Sequence, residues 1–166
     1  MGIYLNPSNK GFKEILASEI YVDKTMLISE LNKLIGTADQ YVCVSRPRRF
    51  GKTIATKMLC AYYSKGCDSR ELFKDLKISK ADNYEQYLNK LNFIKIDVAS
   101  EYQNAPEKEN TIQNFTNFVR SEFVKEFPNV QFAENDTIAN CILKVYAATE
   151  ETFVIILDEY DSLVRM

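Results

Sequence analysis

Tyr41-Val42-Cys43-Val44-Ser45-Arg46-Pro47-Arg48-Arg49-Phe50-Gly51-Lys52-Thr53 is the stretch from which the rest of the chain is read. Tyr41 to Ser45 has the β-branched and aromatic character of a short strand. From Lys52 to about Tyr63, the residues Ile54, Met58, Leu59 and Tyr62 recur at helical spacing, and Gly66 marks the stop. The loop between them follows the pattern G-x-x-x-x-G-K-[ST], except that Arg46 stands where the first glycine is expected. A loop in that place points backbone N–H groups and the positive end of the helix dipole at one spot, and so favours an anion, above all a phosphate. Gly51 lets the backbone come close. Lys52 would reach the β and γ phosphates of a nucleotide, and the Thr53 hydroxyl would take one position on Mg²⁺.

A second segment completes this chemistry. Phe153 to Leu157 is apolar throughout and ends in Asp158-Glu159, the Walker B form. A strand apolar at every position needs both faces covered, which predicts a mainly parallel sheet between helices, an α/β three-layer sandwich of the P-loop NTPase type. In such sheets ligands bind at the carboxyl ends of the strands, where both segments lie. Asp158 would hold the metal and Glu159 would orient and deprotonate an attacking water. The candidate site is thus Lys52 and Glu159 as catalytic groups, Phe50, Gly51, Lys52, Thr53 and Ile54 on the nucleotide, and Thr53 and Asp158 on Mg²⁺, with ATP as the nucleotide.

Outward from these motifs, Asp23 or Thr25 can cap a helix with Leu27, Ile28, Leu31, Leu34 and Ile35 on one side, closed by Gly36. Residues 1–36 form an N-terminal arm plus this helix, and the arm beside the phosphate loop is the candidate for the base pocket. Ser69 or Asp68 opens a short helix to about Leu76, and residues 83–91 carry Tyr84, Tyr87, Leu88 and Leu91 at helical spacing. Phe93 to Val98 reads as a strand and residues 99–110 as a loop. Two more helices follow, one with Ile112, Phe115, Phe118, Val119 and Phe123 and a stop at Pro128, the other capped by Asn135 or Asp136 with Ile138, Ile142, Leu143 and Tyr146 inward. Asp97 ends a strand as Asp158 does, and a helix cap or loop hydrogen bond suits it better than a metal. Asp161 fits a helix start better than the surroundings of a metal.

Composition narrows the chemistry. The 166 residues are 46% hydrophobic and 27% charged, the proportions of one folded domain. No apolar run approaches the ~20 residues of a membrane span, and the N-terminus lacks a signal-peptide stretch, so a cytoplasmic protein without membrane contact is expected. There is no histidine, which removes Ser-His and Cys-His nucleophilic catalysis. Cys43, Cys60, Cys67 and Cys141 include no CxxC pair, and Cys43, Cys60 and Cys141 read as small buried hydrophobes. The net charge of −2 divides into +6 over residues 1–80 and −8 over residues 81–166.

Tyr21-Val22-Asp23-Lys24-Thr25, Arg46 to Thr53 and Leu157-Asp158-Glu159-Tyr160-Asp161 together resemble the bacterial and archaeal predicted AAA-ATPase-like family, over nearly the whole chain. The resemblance implies an ATP-binding domain in which arginine at position 46 is usual, hydrolysis in the full-length parent, and often a C-terminal PD-(D/E)XK nuclease-like domain through which nucleic acid would be a partner. It also implies a further strand, following the Walker B strand in sequence, between that strand and the phosphate-loop strand. Residues 1–166 are therefore expected to be a single partial P-loop ATPase domain whose exposed sheet edges allow oligomers. The alternative is a nucleic-acid-binding or interaction module that uses the basic Arg46-Pro47-Arg48-Arg49-Phe50-Gly51-Lys52 loop without hydrolysis. Asp23, Lys24 and Thr25 match the family motif with no role beyond capping legible in the sequence.

Overall fold

Parallel pairing of two strands far apart in sequence organises the acidic end of the chain. In the computed structural model, which describes residues 2–45, 50–104 and 110–160, β1 (Asn92–Asp97) and β2 (Phe153–Asp158) run parallel with Asn92 opposite Phe153 and Asp97 opposite Asp158. Parallel strands need a crossover. Here it contains α5 (Val98–Asn104), which follows β1 directly, α6 (Thr111–Glu126) and α7 (Ile138–Thr149). The described residues thus form an α/β structure with a two-stranded parallel sheet and seven α-helices.

Backbone contacts divide the chain into two compact units, one of Met1–Pro7 with Leu91–Met166 and one of Ser8–Lys90. In the first, Leu5, Ile94, Val119, Phe123, Phe127, Cys141 and Val145 are buried together, with Ile96, Phe115 and Phe153 packed against them. Phe123 stacks on Phe153 with centroids 5.8 Å apart and meets Phe132 edge to face at 5.9 Å. The chain start lies along β1. Tyr4 accepts the Lys95 N–H at 3.0 Å, and the Asn6 N–H donates to Phe93 at 2.8 Å. One carboxylate holds this segment, because Glu122 accepts the N–H groups of Ile3, Tyr4 and Leu5 at 2.7, 3.0 and 2.8 Å.

The Ser8–Lys90 unit is helical, with α1 (Lys10–Leu16), α2 (Met26–Asn32), α3 (Lys52–Tyr63), α4 (Arg70–Phe73) and a 3₁₀ turn at Lys77–Lys80. Its centre is aromatic. Phe12 stacks on Phe73 at 5.1 Å, and Tyr62 meets Tyr63 and Phe73 edge to face. The Tyr62 and Tyr63 hydroxyls are satisfied in place: Tyr62 donates to the Tyr84 carbonyl at 2.6 Å and Tyr63 to Asn32 Oδ1 at 2.8 Å.

Several elements differ from the sequence reading. Tyr41–Ser45 is not a strand, since no described strand lies beside it to complete a ladder, and Tyr41, Val42 and Val44 are exposed. Cys43 is exposed with them, whereas Cys60 and Cys141 are buried as expected. Residues 83–91 form turns rather than a helix, with Tyr84, Leu88 and Leu91 buried and Tyr87 partly so. Lys10–Leu16 and Val98–Asn104 are helices where an arm and a loop were expected. β2 is covered unevenly, with Ile155 and Leu157 exposed, so the two covered faces inferred from its apolar run are not both present among the described residues. No helix of the described residues is long and apolar enough to cross a membrane.

Phe123 is fully buried and touches three other rings. Phe123→Ala is expected to lower the unfolding free energy by roughly 3–5 kcal/mol, measured by urea denaturation followed by circular dichroism.

Candidate functional site

The loop-to-helix corner is built as its sequence requires. Gly51 is the residue before α3 and has φ +83° and ψ 22°, a left-handed conformation that glycine adopts at little cost. The first intrahelical bond runs from the Ala55 N–H to the Gly51 carbonyl at 3.0 Å, so the N–H groups of Lys52, Thr53 and Ile54 precede it and remain for an outside acceptor. Gly51 has no side chain to cap them. Among the described residues, the Lys52 ammonium and the Thr53 hydroxyl have no partner; Lys52 is half-buried, while Thr53 and Ile54 are exposed. Phe50 is 60% exposed at the same corner. Arg46, Pro47, Arg48 and Arg49 lie outside the described residues, as does Asp161.

The segment before α2 reaches this corner. Asp23 Oδ1 accepts the Thr25 N–H at 2.8 Å and the Thr25 hydroxyl at 2.7 Å, while Asp23 Oδ2 accepts the Lys77 N–H at 2.8 Å. Thr25, fully buried, accepts the Ile78 N–H at 3.1 Å. Thr25 does occupy the position before α2, but its hydroxyl does not cap the helix; it is used to fasten the arm to the 3₁₀ turn. Between these two anchors, Lys24 Nζ donates to the Phe50 carbonyl at 3.0 Å. The contacts of Asp23, Lys24 and Thr25 are not legible in the sequence, because bonds spanning 26, 53 and 54 residues leave no trace in local spacing.

An open cavity of about 570 Å³ adjoins the corner, lined by arm residues including Ile20, Tyr21, Val22 and Lys24, and by Phe50, Gly51 and Ile54. Tyr21 packs edge to face on Phe12 at 5.9 Å. Its hydroxyl is buried without a partner among the described residues, and burial, helped by the Asp23 charge, pushes its pKa up, so it stays a neutral donor.

In the other unit, Asp97 and Asp158 stand opposite each other at the carboxyl ends of β1 and β2. Asp97 Oδ1 accepts the Ser100 N–H at 3.0 Å in the first turn of α5, the capping role expected of it. Asp158 Oδ1 accepts the N–H of Glu159 at 3.1 Å. Glu159 is exposed and has φ +50°, a left-handed backbone costing a non-glycine residue of order 1–3 kcal/mol. The strand ends at Asp158, and the left-handed backbone of Glu159 turns the chain out of it. The described residues include no group of three or more Asp, Glu, Cys or His able to hold a metal alone.

Burial alone would raise the Asp23 carboxyl. The bonds from the Lys77 N–H and from the Thr25 hydroxyl and N–H outweigh it and hold the group below its ordinary value. A folded-state pKa below the unfolded one means that Asp23 stabilises the fold above the usual carboxylate range near 4, and that this contribution is lost as pH falls through the lowered value. Melting temperature recorded from about pH 6 to about pH 2.5 should fall more gently for Asp23→Asn, which starts lower, than for the wild type.

Searches among curated proteins and among solved structures return no match. The sequence model of a family described as Predicted AAA-ATPase matches residues 9–166, a span that contains the Asp23-Lys24-Thr25 anchor, the Gly51-Lys52-Thr53 corner and the Asp158-Glu159 turn. The chain belongs to this predicted AAA-ATPase family.

Proposed function

We propose that the chain is the nucleotide-binding part of a cytoplasmic P-loop ATPase that binds Mg-ATP. The observation that carries this reading is the left-handed Gly51 corner, where the N–H groups of Lys52, Thr53 and Ile54 precede the first intrahelical bond, the Lys52 ammonium has no partner among the described residues, and Gly51 and Ile54 line an open cavity. Phosphate is the ligand such a corner is suited to, because its oxygens accept several N–H groups at once and its charge meets both the helix dipole and Lys52. The base would lie in the cavity walled by the arm.

Thr53 and Asp158 each carry a hard oxygen donor of the kind that suits Mg²⁺, a cation that takes few protein ligands when phosphates and water complete its shell. When bound, the cation would neutralise charge on the phosphates. Lys52 would act as a point charge on the β and γ phosphates, and Glu159 would accept a proton from an attacking water. Coupling of hydrolysis to a PD-(D/E)XK nuclease-like domain, which the family resemblance implies, is part of the same proposal. The sandwich fold of P-loop NTPases and its further strands belong to this same proposal.

Calorimetric titration with Mg-ATP and Mg-GTP is the direct test. Wild type is expected to bind one of them, and Lys52→Ala to bind at least tenfold more weakly, a loss of ~1.4 kcal/mol or more. Folded protein that binds neither, yet binds DNA or RNA with an affinity falling steeply with salt, would replace this reading with the nucleic-acid module. Glu159→Gln should retain nucleotide while ATP turnover drops by roughly 10²–10⁴.

A further inference from the structure

Lys24 is placed with unusual firmness for an exposed lysine. Its neighbours Asp23 and Thr25 are tied to Lys77 and Ile78, and Thr25 is fully buried, so the backbone that carries Lys24 is held from both sides. From there the ammonium bonds the Phe50 carbonyl at 3.0 Å. It also sits against Gly51: a Cβ built on that glycine would lie 3.1 Å from Lys24 Nζ. No carboxylate among the described residues pairs with Lys24, so its strongest contact is to loop backbone rather than to a counter-charge.

We infer that Lys24 is a positioning residue for the phosphate corner, its ammonium holding the Phe50–Gly51 peptide so that Lys52 and the first-turn N–H groups of α3 face one ligand. This rests on the nucleotide reading above. The physical need is plain, since a left-handed glycine is free to rotate into other conformations and a neighbouring charge-assisted bond removes that freedom before the ligand arrives. Lys24 also lines the cavity, so it joins the arm that would hold the base to the corner that would hold the phosphates.

Two measurements on the whole chain separate the outcomes. Hydrogen exchange of ligand-free protein should show faster exchange in the segment 50–56 for Lys24→Met than for wild type, with an unchanged melting temperature because the side chain is exposed. Titration with Mg-ATP should show affinity falling roughly ten- to hundredfold in Lys24→Met, the loss of one hydrogen bond from a charged group, and largely restored in Lys24→Arg. Equal affinity in Lys24→Met and wild type overturns the inference, whether or not exchange changes. An affinity loss that merely follows a lowered melting temperature, or that Lys24→Arg does not restore, overturns it as well. Wild type that binds no nucleotide, while Lys24→Met still loosens segment 50–56, shows that the nucleotide reading failed and takes this inference with it.

Discussion

An α-helix cannot satisfy the N–H groups of its own first turn, and what is done about them decides how each helix start is used. At α7, Thr137 accepts the Asn140 N–H at 3.1 Å and uses up part of the demand internally. At α3 the position before the helix is Gly51, which has no side chain to offer, and among the described residues neither the first-turn N–H groups nor the Lys52 ammonium has a partner. Much of the Ser8–Lys90 unit supports that one corner. The aromatic cluster of Phe12, Tyr62 and Phe73 seats α3, the 3₁₀ turn receives Asp23 and Thr25, and the arm between them delivers Lys24 to the Phe50 carbonyl.

The acidic unit is organised by register. A parallel pair has no hairpin to set its alignment, so side-chain packing must do it. Ile94, Ile96 and Phe153 pack into the same core as Phe123, Cys141 and Val145. That alignment brings Asp97 and Asp158 to the same level of the sheet edge, where their roles then diverge: Asp97 caps α5, and Asp158 accepts the N–H of the turn at Glu159. On the other side of β1, Asn6 accepts the Phe93 N–H and donates to Asn92 and Glu126, closing an edge that would otherwise expose backbone.

Helical periodicity located α3, α6 and α7 well but placed their inner faces less well. In α7 the buried residues are Cys141 and Val145, with Ile138 and Ile142 beside them, while Leu143 and Tyr146 point to solvent. In α6, Ile112 and Phe118 are exposed although both fit the apolar stripe. An apolar residue on the flank of a stripe is buried only if something packs there, and that depends on the neighbouring elements. The Tyr41–Ser45 segment follows the same rule, because β propensity describes fit to a neighbouring strand rather than a preference the segment can realise alone.

The sequence by itself determined the chemistry at each end: a glycine able to turn left-handed, then lysine and threonine opening a helix, and an apolar strand ending in aspartate and glutamate. These are local properties, set by residue type and spacing within a few positions, and such properties can be read directly. Only the tertiary structure decided the contacts of Asp23, Lys24 and Thr25, the register that sets Asp97 opposite Asp158, and which flank of each helix is covered. Those depend on contacts between residues tens of positions apart, for which short-range pattern carries no information.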